Sequence, residues 1–201
     1  CREIIINENI DILLVMGWQR LIPKWMLDAL TIGAFGMHGS NRPLPHGRGR
    51  SPLNWSLIQN KNIFFTHLFQ YLPEVDNGPI VDVQKIQINE FDTCLSLHYK
   101  NTLSMIKLCA KNLELLSKGN MILTAQNEEN LSYYPKRSAE DGLIFWQDST
   151  RDIYNLMRAV TKPFPGAFTY LNGDKTQKIT IWKGVPFDQI LNWNNSSFGE
   201  I

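Results

Sequence analysis

Three short stretches near the start of the chain have apolar residues spaced as in a strand, then a helix, then a second strand. Residues 11–18 form a continuous apolar run closed by Gly17, which is typical of a strand buried on both faces. Residues 23–30 follow with apolar side chains at helical spacing, and Pro23 stands where a first helical turn tolerates proline. Residues 32–38 form a second buried run. This order predicts a right-handed unit of strand, helix and parallel strand, and hence an α/β fold.

The next segments predict a short helix and two further strands. A connection over residues 39–50, rich in glycine, proline and arginine, leads to Ser51 and Pro52. This pair predicts a helix start with the serine hydroxyl as N-cap. Residues 63–72 and 79–88 have strand character and are separated by a turn-like sequence. The expected architecture is a parallel or mixed sheet flanked by helices.

Two helices and a hairpin are predicted in the second half of the chain. The clearest helical pattern covers residues 92–118 and stops at Gly119. Its apolar stripe consists of Leu95, Tyr99, Leu103, Ile106, Ala110 and Leu113. Residues 149–161 predict a second helix, and residues 166–170 and 178–183 alternate like a β-hairpin.

Composition and charge narrow the class of protein. The chain has 201 residues, 43% of them hydrophobic, which is enough to bury an ordinary core without disulfide or metal staples. A net charge of +1 disfavours nucleic-acid binding. Cys1, Cys94 and Cys109 suggest no disulfide framework and no zinc site, so a cytoplasmic location is expected. No apolar stretch approaches the roughly 20 residues of a bilayer span, so no membrane insertion is expected.

The candidate chemistry rests on one histidine and one carboxylate. Dinucleotide, Walker and serine-elbow motifs do not occur, and the four histidines lack metal-ligand spacing, so no metal is expected. His38 ends a predicted parallel strand, where open α/β sheets bind ligands, and Asp76 lies in an Asp-Asn-Gly turn. Together they would form a base and its orienting partner. The spacing alone leaves open whether they meet, or whether each only stabilises its own loop.

The order of several short motifs points to a family. The sequence FGMHGS at residues 35–40 is followed by LPHGRGRSPLNW at residues 44–55 and by the Asp-Asn-Gly of residues 76–78. This order resembles the signature of the N10-formyltetrahydrofolate-dependent formyltransferases, which reads N-x-H-x-S, then L-P, then R-G, then D-x-G. Residues 11–22 and 163–170 are similar to further segments of that family, the second of them to the sugar N-formyltransferases above all. The resemblance extends over nearly the whole chain.

The resemblance implies a Rossmann-like formyltransferase fold without its first strand–helix portion, and a first residue that is not methionine agrees with a missing start. It implies a catalytic domain over residues 1–162. Residues 163–201 would form a β extension or the start of a small barrel-like domain. We therefore expect a longer gene product, and a homodimer remains open.

The resemblance also implies a reaction and the residues that carry it. An amine of the acceptor attacks the formyl carbon of N10-formyltetrahydrofolate, and tetrahydrofolate leaves. His38 would hold the oxyanion or take the amine proton, and Asp76 would orient His38. The expected folate-binding residues are Met16, Gly17, Trp18, Gln19, Arg20 and Leu21. The expected acceptor-binding residues are Ser40, Arg48, Tyr133, Tyr134, Lys136 and Arg137.

One residue departs from the family pattern. Gly36 stands where the family has an asparagine whose amide helps to hold the oxyanion. Two extra residues, Asn41 and Arg42, lie in the next connection, and we expect Asn41, a backbone amide or a water to supply the lost donor. Gly36 could instead mark a weakened or repurposed enzyme.

The acceptor is expected to be a nucleotide-linked amino sugar for a surface glycan such as lipopolysaccharide. Initiator tRNA would require a basic face, which the near-neutral charge does not provide, and the RGRSPLNW segment looks closest to sugar N-formyltransferases. A methionyl-tRNA formyltransferase-type enzyme and a non-catalytic folate or nucleotide-sugar binding protein remain the alternatives. The aromatic and basic residues assigned to the acceptor could equally anchor their own loops.

Overall fold

A mixed four-stranded sheet forms the centre of the fold in this computed structural model, which describes residues 2–18, 20–188 and 199. The helices are α1 (Arg2–Asn7), α2 (Lys24–Asp28), α3 (Pro52–Ile58), α4 (Cys94–Ser117) and α5 (Thr150–Val160). The strands are β1 (Ile12–Val15), β2 (Gly33–Ser40), β3 (Arg48–Gly49), β4 (Ile63–Gln70), β5 (Ile80–Gln87), β6 (Tyr133–Tyr134), β7 (Ala167–Tyr170) and β8 (Lys178–Ile181).

The strands of the central sheet lie in the order β1-β2-β4-β5. β1 and β2 are parallel and are connected through α2, whereas β4 is antiparallel to both β2 and β5. This arrangement confirms the predicted α/β class and the parallel strand–helix–strand unit. The antiparallel strands make the sheet mixed rather than fully parallel.

Helices cover both faces of the sheet. Adjacent residues of β2 point to opposite faces, so each packs against a different helix. Ala34 is buried beneath Met26 and Leu27 of α2. Phe35 is buried against Leu108 and Leu116 of α4. This packing leaves the carboxyl end of β2, with His38, at the rim of the sheet.

Two small pairs of strands complete the described structure. β3 and β6 are parallel, so the predicted arginine-rich connection is fastened to the polar loop that follows α4. β7 and β8 form the predicted antiparallel hairpin, and Phe168 of β7 bridges to Leu143. Within the described residues, no helix is long and apolar enough to cross a bilayer.

The start of α3 differs from the predicted N-cap. The helix begins at Pro52, as expected, but Ser51 has a left-handed backbone with φ of 56° and its side chain makes no capping hydrogen bond. A left-handed residue turns the chain away from the β-region geometry in which an N-cap hydroxyl meets the first turn.

The buried face of α4 is also not the predicted one. Leu95, Tyr99, Leu103, Ile106 and Leu113 of the apolar stripe are exposed. The buried residues are Cys94, Leu97, Ser104, Leu108, Asn112 and Leu116. Ser104 and Asn112 are polar, and the side-chain amide of Asn112 donates to Asp82 Oδ2 of β5 at 2.8 Å across the interface. The apolar stripe therefore faces outward in this structure.

Candidate active site

The fold brings His38 and Asp76 together at the rim of the sheet. His38 lies near the end of β2, and Asp76 lies in the connection between β4 and β5. Nδ1 of His38 is 3.3 Å from Oδ2 of Asp76, and their side chains are only 9% and 15% exposed. The two residues that the sequence left as a possible pair are therefore in contact.

The turn that carries Asp76 is held tightly in place. Asp76 has a left-handed backbone with φ of 50°, a conformation that is uncommon for a non-glycine residue and is often found at functional sites. Its Oδ2 accepts a hydrogen bond from the backbone N–H of Gly49 at 2.9 Å. Gly78 allows the turn to close, because a Cβ there would lie 1.6 Å from the carbonyl oxygen of Gln70. The D-x-G motif thus fixes the position of the carboxylate.

Both ring nitrogens of His38 face hydrogen-bond acceptors. Nε2 lies 2.8 Å from the carbonyl oxygen of Gly47, while Nδ1 faces Asp76. The ring can donate to both partners only when each nitrogen carries a proton, and the neutral ring keeps one lone pair. Which nitrogen of the neutral ring carries the proton therefore depends on the tautomer.

A cavity of about 620 Å³ opens onto this pair. Among the residues that the structure describes, those lining the cavity include parts of the loop after β1, of β2, of the start of α3, of the turn before β5 and residues 136–137. The lining side chains include those of Trp18, Arg20, Leu21, Met37, His38, Tyr71, Asp76, Lys136 and Arg137. The cavity therefore combines an apolar wall, the His38–Asp76 pair and a basic wall.

Three of the expected folate-binding residues line this cavity. They are Trp18, Arg20 and Leu21, and the Trp18 side chain is exposed. Met16 and Gly17 lie on the same loop but outside the lining, and Gln19 lies outside the described residues. A planar ring on Trp18 and Leu21 would have an apolar surface to cover it.

The structure does not bring Arg48 to the cavity. Its side chain is buried, and its guanidinium donates to Gln126 Oε1 at 2.7 Å and to Glu128 Oε1 at 2.6 Å. Gln126 in turn donates to the carbonyl oxygen of Asp76 at 2.8 Å. Arg48 thus holds Gln126, and Gln126 holds the turn that carries Asp76. Arg48 itself does not line the cavity.

The side chains of Ser40, Asn41 and Tyr134 are hydrogen-bonded to other protein groups. The Ser40 hydroxyl donates to the carbonyl oxygen of His46 at 2.6 Å. The Asn41 amide donates to Gln59 Oε1 at 2.9 Å and to the Tyr134 hydroxyl at 2.6 Å. The Asn41 amide, the expected substitute for the lost oxyanion donor, is therefore buried and paired away from the cavity in this structure.

Of the remaining acceptor-binding candidates, Lys136 and Arg137 line the cavity and the exposed Tyr133 does not. The guanidinium of Arg137 lies over the ring of Trp55, 4.9 Å from its centroid, and donates to the carbonyl oxygen of Asp141 at 2.5 Å. Burial lowers the pKa of Arg137, and the Asp141 charge opposes that shift. Stacking on Trp55 orients this cation at the cavity wall.

Tyr71 is a residue that the sequence reasoning missed. It lines the cavity one position beyond the end of β4 and close to Gly36. No sequence motif contains Tyr71. The one indirect signal in the sequence was Gly36: a glycine where the family has asparagine leaves space that another side chain can fill. Within the described residues, no group of three His, Cys, Asp or Glu side chains is placed to hold a metal ion.

Two family models match this chain. A family model described as "Formyl transferase" matches residues 2–104, and one described as "Formyl transferase, C-terminal domain" matches residues 136–201. The first model alone covers more than half of the chain, so the chain belongs to the formyltransferase family, whose members are enzymes that transfer formyl groups.

Solved structures show the same fold at low sequence identity. A sugar N-formyltransferase from a Shewanella species has a TM-score of 0.74 at 20% identity, over 93% of this chain and 74% of that one. An N-formyltransferase from Helicobacter canadensis, in complex with folinic acid and dTDP-3-aminofucose, has a TM-score of 0.66 at 20% identity, over 80% and 58%. HypX from Aquifex aeolicus, in complex with tetrahydrofolic acid, has a TM-score of 0.70 at 19% identity, over 86% and 30%.

Proposed function

We propose that this protein transfers a formyl group from N10-formyltetrahydrofolate to the amine of a nucleotide-linked amino sugar that serves surface glycan synthesis. The observation that carries the proposal is the His38–Asp76 pair at the mouth of the 620 Å³ cavity. The family supplies formyl transfer as the reaction. The complexes of similar proteins with folate compounds and with dTDP-3-aminofucose support the two substrates.

The apolar wall of the cavity is the proposed folate end. Trp18 and Leu21 offer a flat, exposed apolar surface of the kind that a pterin ring covers, and Arg20 lies beside them. Met16, Gly17 and Gln19 would complete this loop around the donor. When bound, the folate supplies the formyl carbon that the acceptor amine attacks.

His38 is the proposed base, and Asp76 is its orienting partner. Nε2 of His38 takes the proton of the attacking amine once that amine replaces the Gly47 carbonyl as its neighbour. Asp76 holds the opposite ring nitrogen and so fixes the ring whose Nε2 now lies beside the Gly47 carbonyl oxygen. Proton transfer by a placed group of this kind contributes about 10²–10⁴-fold to rate.

The basic wall is the proposed acceptor end. Lys136 and Arg137 lie where they could meet the phosphates of a nucleotide-linked sugar. The ring of Trp55 stacks against the guanidinium of Arg137 and orients it. Ser40, Arg48 and Tyr134 are proposed to act indirectly, by holding the loops that shape this wall, and Tyr133 offers an exposed ring nearby.

The test is formyl transfer by the full-length protein. It is incubated with N10-formyltetrahydrofolate and a panel of amino sugars linked to nucleoside diphosphates, including dTDP-3-aminofucose, and the products are weighed by mass spectrometry. We expect one product heavier by a formyl group, and activity reduced by about 10²-fold or more in His38→Ala and Asp76→Asn. Full activity in both variants would overturn the site assignment.

Matched controls separate this site from the alternatives. His46→Ala changes a histidine outside the cavity lining and should retain activity. Formylation of initiator tRNA with a steep salt dependence would indicate the tRNA-acting alternative instead. Binding of tetrahydrofolate without transfer to any acceptor would indicate a binding protein.

A further inference from the structure

The ring of Tyr71 lies over Gly36, on the face of the sheet that carries His38. Gly36 and His38 are two positions apart on β2 and therefore point to the same face. The backbone N–H of Tyr71 donates to the carbonyl oxygen of Ala34 at 2.7 Å, which fixes its backbone beside β2. A Cβ at Gly36 would lie 2.2 Å from Cε2 of Tyr71. The phenol ring thus fills the space that the absence of a side chain leaves.

The hydroxyl of Tyr71 is suited to donate a hydrogen bond into the cavity. Burial raises the pKa of this phenol, and the negative charge of Asp76 raises it further, so the hydroxyl keeps its proton at neutral pH. Within residues 2–18 and 20–188, no hydrogen bond to another residue engages that hydroxyl, and the residue lines the cavity. It is therefore a neutral donor with its proton available.

The neighbouring polar groups on this side of the cavity cannot take that role. The Asp76 carboxylate is an acceptor, and His38 faces the acceptors Asp76 and Gly47. The Asn41 amide is paired with Gln59 and Tyr134. Of the groups next to Gly36, Tyr71 alone among the described residues presents an uncommitted O–H donor.

We propose that Tyr71 is a further catalytic residue, whose hydroxyl donates a hydrogen bond to the formyl oxygen as negative charge develops there. This inference rests on the proposed function. The amine nitrogen forms a bond to the formyl carbon, and the electron pair of the C=O π bond moves onto the oxygen held by Tyr71. When that pair returns, the bond from carbon to N10 breaks and its electron pair goes to N10. The proton that the amine nitrogen has lost to His38 is passed on to N10, so His38 ends neutral. Tyr71 keeps its own proton throughout.

The first test removes only the hydroxyl. Tyr71→Phe keeps a ring over Gly36, and we expect kcat to fall by about 10²–10³-fold, as for loss of one oxyanion donor, with KM changed little. The probe reaction uses N10-formyltetrahydrofolate and whichever panel acceptor the unaltered protein formylates. Tyr99→Phe is the matched control, because Tyr99 is exposed on α4 away from the cavity. An unchanged kcat in Tyr71→Phe would overturn the proposal.

The second test measures binding instead of turnover. Negative charge on the formyl oxygen exists only in the transition state, so Tyr71→Phe should bind tetrahydrofolate as tightly as the unaltered protein in calorimetry. Its melting temperature should also be unchanged within the scatter of the Tyr99→Phe control. A fall in kcat that is matched by weaker tetrahydrofolate binding or lower stability would assign Tyr71 to packing or binding and refute its role as a donor.

The third test changes the acidity of the phenol and leaves its size nearly unaltered. A fluorinated tyrosine placed at position 71 has a lower phenol pKa, and its phenolate cannot donate a hydrogen bond. We expect the alkaline limb of the kcat profile to move to lower pH, by the same interval as the phenol titration followed by absorbance. An alkaline limb that does not move would contradict the donor role.

The outcomes distinguish this inference from the proposed function. If the unaltered protein formylates none of the acceptors, the proposed function fails, and the role of Tyr71 fails with it. If the unaltered protein is active and Tyr71→Phe matches it, only the role of Tyr71 fails.

Discussion

His67 is a buried histidine that links the strand carrying His38 to the loop beyond it. Its side chain is completely buried on β4, with Nδ1 donating to the carbonyl oxygen of His38 and Nε2 accepting from the N–H of Leu44, both at 3.2 Å. Burial lowers the pKa of His67 to about 4; the hydrogen bond to His38 opposes this shift, and a positive charge on His38 would add to it. The folded protein therefore holds this ring neutral.

The free energy of unfolding should fall as the pH is lowered, because the unfolded chain binds a proton at this position first. An unfolded histidine titrates near pH 6.5, so between about pH 6.5 and pH 4 only the unfolded state gains that proton. At about 1.4 kcal/mol per pH unit, the full window is worth about 3.5 kcal/mol. This contribution is complete above pH 6.5 and is lost below about pH 4.

The assay is urea unfolding at a series of pH values from about 7 to about 4.5, where most of this window lies. His67→Gln replaces the ring with an uncharged amide that can still donate or accept one of the two hydrogen bonds. We expect the variant to be less stable at neutral pH but to lose less stability on acidification, so the two curves converge. His46→Gln, on the loop after β2, is the control and should keep the slope of the unaltered protein. Parallel curves for His67→Gln and the unaltered protein would refute the reasoning.

Two further predictions follow from buried groups. Arg48→Lys keeps the charge but cannot reproduce the paired hydrogen bonds to Gln126, so we expect about 1–3 kcal/mol lower stability in urea unfolding and a reduced kcat. The exposed Arg42→Lys should change neither, and an equal effect of both variants would contradict the supporting role of Arg48. Leu108→Ala on the buried face of α4 should cost about 2–5 kcal/mol in the same assay, and Leu103→Ala on the exposed stripe should cost less than about 1 kcal/mol. The reverse order would mean that the helix packs on its other face.

Hydrophobic periodicity predicted the longer strands and helices of this fold, but not α1, β3, β6 or the buried face of α4. The runs before His38 predicted β1, α2 and β2 because a buried strand and an amphipathic helix have different spacings. For α4 the pattern predicted a buried stripe that includes Leu103, and the structure buries Leu108 and the polar Asn112 instead. A pattern that counts only apolar side chains cannot predict a helix face on which buried polar residues are hydrogen-bonded.

The candidate site was predictable where a motif constrains the backbone, and not where a side chain can turn either way. The His38 and Asp76 motifs place both groups at one rim, because a strand end and a closed turn fix the backbone there. Arg48 was expected to bind the acceptor, since sequence alone does not distinguish an arginine that reaches a ligand from one that binds Gln126 and Glu128 in the interior. That distinction depends on β3 pairing with β6, which joins segments far apart in the chain.

The pair formed by Gly36 and Tyr71 shows why a departure from a family motif is better understood in space than along the sequence. A search for a substitute donor near Gly36 in sequence leads to Asn41, which lies only a few residues further on. In the sheet, however, Gly36 pairs with Phe69 of the antiparallel strand β4, and the ring of Tyr71, two positions further along and beside Ala34, reaches over Gly36. A lost side chain on one strand is most directly replaced from the adjacent strand. The same argument predicts that a Cβ at Gly36 would displace the Tyr71 ring, so Gly36→Ala should impair formyl transfer even with Tyr71 unaltered, and an active Gly36→Ala variant would contradict it.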